Sequence, residues 1–149
     1  MTATLQAEQM AARLAGFRAQ EAADGHPSPE RAHEIDAEWG RVIDRLLEFW
    51  NWPADWDGEG AVPPNRDALR GAITVALQFR QQWSADSPLS ESGRMLPPVR
   101  VLPSQDGEII LEWHLDHAYC ELEVFSPNEA RGMVVPKDGS PADHTVVQW

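Results

Sequence analysis

Three groups of side chains in this chain have the types and spacing that chemistry can use. The first is Asp55, Asp57 and Glu59, which fall at alternate positions and precede Gly60. Alternate acids before a glycine open a calcium-binding loop, and Val62 falls where such loops place an apolar residue. The twelfth position should then hold a bidentate glutamate. It holds Arg66, and Pro63-Pro64 stiffen the second half. The pattern therefore predicts no bound metal. It predicts a shaped turn in which Asp57 accepts from backbone amides and Trp56 anchors the loop in the core.

The second group is His114, His117 and Cys120, each a possible zinc ligand. They are expected on a strand, a turn and a second strand, and a fourth ligand, His144 or Glu112, would have to come from elsewhere. The third is Glu112, Glu121 and Glu123, which alternation puts on one open sheet face with His114. A carboxylate–histidine pair can do acid–base work. Acids on a solvent face also keep sheets from pairing edge to edge. The motifs G-x-S-x-G, P-loop, H-E-x-x-H and Cys-x-x-Cys are absent. No catalytic residue, cofactor or metal is assigned.

The elements that position these groups read clearly. Residues 3–23 favour a helix with a sparse apolar stripe of Leu5, Met10, Leu14 and Phe17. Gly25 and Pro27 stop it. Ser28-Pro29 opens a second helix whose Ile35, Trp39, Val42, Ile43, Leu46, Phe49 and Trp50 recur at helical spacing. Pro53 ends it. After the 53–64 loop, Asn65 caps a third helix with Leu69, Ala72, Ile73, Ala76, Leu77, Phe79 and Trp83 inward. Residues 84–97 are rich in Ser and Pro and predict a surface loop.

The period then changes to two. Strands are expected at 99–102, 108–115, 119–125 and, more weakly, 133–135 and 145–147, with Asp106-Gly107 as a turn. Helices followed by an antiparallel meander of about four to five strands predict an α+β fold. The helices cover one sheet face. The chain reads as one domain over 1–149. Residues 1–24 are expected to form a peripheral helix, 28–83 the helical part and 98–149 the meander.

The segment Trp56-Asp57-Gly58-Glu59-Gly60-Ala61, then Pro63-Pro64 and Arg66-Asp67-Ala68-Leu69, resembles part of a group of small bacterial proteins. So do Pro98-Val99-Arg100-Val101, Asp106-Gly107-Glu108-Ile109, Leu111-Glu112-Trp113 and Leu122-Glu123-Val124. That group carries a W-D-G-x-G-A segment, a helix and an L-E-W hairpin. The resemblance spans roughly residues 50–125. It implies a bacterial origin and the α+β fold, and it transfers no activity.

Composition narrows the function. Twenty-four acids against 12 bases give a net charge of −12, and Lys137 is the one lysine. Phosphate binding needs clustered Lys and Arg, so direct nucleic-acid binding is excluded. Seven tryptophans favour well-packed or interface settings. A single Cys120 predicts a reducing compartment. With no signal sequence and no apolar run of spanning length, a cytoplasmic, non-membrane protein is expected. The reading is a non-catalytic acidic protein that binds another, basic protein as regulator or inhibitor, of the antitoxin, immunity or defence-accessory type. Partner contacts are expected at Trp52, Trp56, Asp57, Glu59, Glu121 and Glu123. The alternatives are a small enzyme or metal domain using the 55–59 acids or His114, His117 and Cys120, and a nucleic-acid mimic.

Overall fold

A computed structural model describes residues 25–148. The helix expected over 3–23 and Trp149 lie outside the described residues.

Helix α1 spans Pro29–Phe49. The Ser28 hydroxyl accepts from the Arg31 amide at 3.2 Å, and Pro29 occupies the first helical turn. This satisfies an amide that the helix itself leaves unpaired. Ile35, Trp39, Val42, Leu46 and Phe49 are its buried stripe. Helix α2 spans Arg66–Gln81, and the Asn65 side chain accepts from the amides of Asp67 (2.8 Å) and Ala68 (3.3 Å). The two helices join through Trp39 and Phe79, ring centroids 5.7 Å apart. A forked Arg80–Asp36 pair, at 2.9 and 3.1 Å, closes the seam on its solvent side. The Arg80 hydrogen bonds hold the Asp36 carboxyl below its ordinary pKa.

Five strands follow: β1 (Arg100–Pro103), β2 (Ile109–His114), β3 (Ala118–Ser126), β4 (Glu129–Pro136) and β5 (Asp143–Gln148). They pair in sequence order, each antiparallel to the next. The α+β fold expected from the sequence is present, with both described helices on one face of the meander. Alternation explains why. Ile109, Leu111 and Trp113 of β2, Cys120, Leu122 and Val124 of β3, and Ala130 and Val134 of β4 all point inward and share one core with the helices.

Helix α2 lies close on β3. A side chain at Gly71 would meet the Ser126 carbonyl oxygen and, at 2.8 Å, the Val124 methyl. Only glycine lets the helix backbone approach this strand.

The 84–97 segment differs from the expected surface loop. It contains a 3-10 turn at Glu91–Gly93, and Arg94 and Met95 are buried. Three indoles fasten it. Trp39 and Trp83 both donate to the Met95 carbonyl, at 3.0 and 2.6 Å, and Trp113 donates to the Leu96 carbonyl at 2.7 Å. The Arg94 guanidinium donates to the carbonyls of Leu89 and Ser87 and lies over the Trp83 ring. A run of Ser and Pro gives no sign of this, because the partners are main-chain carbonyls, which every residue has.

Candidate functional site

The loop after α1 holds its own shape. Asp55 takes a left-handed φ of 57°, and Gly58 and Gly60 take 75° and 88°. The Asp55 carboxylate accepts from the Gly60 amide at 2.6 Å. Asp57 Oδ1 accepts from the amides of Glu59 (2.9 Å) and Ala61 (3.1 Å), and its Oδ2 from the Gln105 side chain at 3.3 Å. These donors, the Glu59 amide first, hold the Asp57 carboxyl below the usual carboxylate range. Asp57 thus bonds backbone amides as expected. The exposed Glu59 side chain makes no hydrogen bond among the described residues.

Trp56 departs from expectation. It is half-buried at the surface, not in the core. Its indole donates to the Val62 carbonyl at 3.1 Å, and its ring lies 5.1 Å from that of Trp52. Trp52 in turn meets Phe49 edge-on at 4.7 Å, and the Arg45 guanidinium lies over both rings. A chain of edge-on and tilted aromatic contacts therefore carries the loop from the end of α1 to the surface.

The sheet face away from the helices is covered by no described helix or strand. Its residues follow from the register. Glu112 stands directly opposite Glu121, and Met133 is next in that row. Ile110, Glu123 and Arg131 form the adjacent row, and His114, Tyr119 and Val135 the third. The structure therefore brings Glu112, Glu121, Glu123 and His114 onto one face.

Their surroundings are only partly aqueous. The side chains of Glu112 and Glu123 keep 12% and 24% of their exposure. Burial pushes the Glu123 carboxyl above its ordinary pKa; Arg131 opposes this, and Glu108, Glu121 and Asp106 add to it. The Tyr119 hydroxyl donates to Glu121 at 2.6 Å. Burial, and then that hydrogen bond, raises the Tyr119 pKa, so its proton stays in place. The basic side chains nearby stand off. Arg100 approaches Glu112 at 3.8 Å, His114 approaches Glu112 at 3.7 Å, and Arg131 approaches Glu123 at 3.7 Å. All three separations exceed hydrogen-bond length.

The expected contact residues thus fall into two places. Trp52, Trp56, Asp57 and Glu59 belong to the loop, and Glu121 and Glu123 to the open face. No hydrogen bond or ion pair among the described residues joins them directly. The β1–β2 turn stands between, with Gln105 bonded to Asp57 and Asp106 acting electrostatically on Glu123. Neither Tyr119 nor Arg131 is among the site residues expected from the sequence: the alternation that places Glu121 and Glu123 places Tyr119 too, whereas Arg131 lies on β4, which begins at Glu129, ahead of the strand expected at 133–135.

The His114, His117 and Cys120 series does not converge. Cys120 is buried in the core, where burial raises its thiol pKa to about 11, whereas His114 lies exposed on the opposite face. Among the described residues, no group of three His, Cys, Asp or Glu side chains is arranged to hold a metal ion. No described helix is long and apolar enough to cross a membrane. No protein family, curated protein or solved structure matches this chain.

Proposed function

We propose that this chain is a non-catalytic acidic interaction protein that binds a basic protein partner through the open face of its sheet, as a regulator or inhibitor. The observation that carries the reading is the row of Glu112 and Glu121, with Glu123 beside it, half-buried among Ile110, Met133 and Val135 on a face that no described element covers. Half-buried carboxylates among apolar side chains suit lysine or arginine, whose aliphatic stems cover the apolar ground while their heads meet the acids. The net charge of −12 favours such an encounter at long range. The packed rings of Trp52 and Trp56, beside the exposed Glu59, supply a second contact area at the loop.

The test compares the tagged full chain with its Glu112→Gln, Glu121→Gln, Glu123→Gln variant in affinity capture from the native cell. The expected result is a basic protein recovered at unit stoichiometry by the wild type and lost by the variant, whose melt stays cooperative. Equal recovery by both, or recovery of a bound small molecule without a protein, overturns the reading.

A further inference from the structure

Strand β1 is an edge of the sheet, and a groove of about 500 Å3 runs between it and α1. Arg41 and Arg45 of α1 and Arg100 of β1 line this groove, with Glu38 as the one acid. The chain as a whole has twice as many acids as bases, so the groove reverses the balance of the molecule. Arg41 and Arg100 keep capacity for a ligand. Arg41 makes no hydrogen bond or ion pair among the described residues. Arg100 is 64% exposed and meets Glu112 only at 3.8 Å. Arg45 is bound to Glu48 at 2.6 Å. Beside them Val99 is 65% exposed.

The backbone adds a second requirement. Among the described residues β1 pairs on one side only, with β2. An edge strand presents N–H and C=O groups to an incoming chain. Side chains of an added strand alternate between the two sheet faces. On the helix side they would meet Arg41 and Arg45. On the other side they would meet Arg100, which shares the open face with Glu112.

We propose that the β1 edge is a docking site for an acidic, extended segment of a partner protein, which joins the sheet as a sixth strand between the arginines of α1 and Arg100. This site adjoins the acidic open face, with Arg100 at their border, and takes a ligand of opposite charge.

The probe is a fluorescein-labelled eight-residue peptide in which Glu-Glu pairs are separated by single valines, titrated into the full chain by fluorescence anisotropy. A second peptide replaces each glutamate by lysine. The expected result is saturable binding of the acidic peptide alone, weakened by raised salt. Affinity should fall at least tenfold in the Arg41→Glu, Arg100→Glu variant. Amide exchange should slow in residues 99–102 on binding. An Arg41→Gln, Arg100→Gln variant, with a cooperative melt as control, repeats the comparison should charge reversal disturb folding. Absence of binding, equal affinity in the variants, or protection elsewhere than strand β1 overturns the proposal.

Discussion

Two glycines inside helices should respond to the same substitution with opposite sign. Gly40 lies within α1, and the atoms nearest to a methyl there would be those of the Arg80 guanidinium, from 3.5 Å, which is ordinary van der Waals contact. Gly71 lies within α2, and a methyl there would meet the Ser126 carbonyl oxygen and carbon, which belong to a paired strand and cannot rotate aside. Alanine is favoured over glycine in a helix interior by about 1 kcal/mol. Gly40→Ala should therefore gain up to about 1 kcal/mol. At Gly71 the same gain is opposed by overpacking, which costs roughly 1–3 kcal/mol and sometimes more. A clash with backbone belongs at the upper end, leaving a net loss of about 2 kcal/mol. For a chain of this size each kcal/mol moves Tm by about 2–4 °C. Thermal and urea melts should place Gly40→Ala about 2–4 °C above the wild type and Gly71→Ala about 4–8 °C below it. A Gly71→Ala protein that melts with or above the wild type would refute the close seating of α2 on β3.

The Glu123 carboxyl is held above its ordinary pKa chiefly by burial. Its raised folded pKa means that the fold loses stability as pH climbs through the ordinary glutamate range, near 4.3, to the folded value, and the loss persists above it. Glu123→Gln should melt above the wild type at pH 7 and level with it below about pH 4; a lower melt at pH 7 would contradict the placement. Burial lifts the Cys120 thiol to about 11. Iodoacetamide at pH 8 should leave the native protein unmodified and alkylate it fully in urea, and labelling of the native chain at the unfolded rate would show that the thiol is accessible.

The elements were legible where side-chain pattern and local chemistry agree. Ser28-Pro29 and Asn65 marked both helix starts because a cap is a local event, satisfied within three residues. Alternation in β2 and β3 marked both sheet faces because the buried one accepts only apolar or small side chains. Two features were hidden. Met95 is buried where the indoles of Trp39, within α1, and Trp83, in the turn after α2, converge on its carbonyl, and its own neighbours carry no trace of them. Trp56 was expected inward because tryptophan usually is, but Trp52 and the Val62 carbonyl give its ring and its N–H partners at the surface. The groove along β1 was also unreadable, since Arg41 and Arg100 are brought together only by the packing of a helix against a strand.

The loop and the open face differ in what their acids have left to offer. In the loop, Asp55 and Asp57 are committed to the amides of Gly60, Glu59 and Ala61, so their charge serves the turn itself. Removing those carboxylates would change loop shape before it changed any contact with a partner. On the sheet, Glu112 and Glu123 meet their arginines at 3.8 and 3.7 Å, too far for hydrogen bonds, while burial already strips water from both. A carboxylate that is partly dehydrated and incompletely paired gains most from a cation delivered by another molecule, because the desolvation cost is already met within the folded domain. The raised pKa of Glu123 is in keeping with the proposed function: its charge costs the isolated domain stability, which a lysine or arginine of the proposed partner would return.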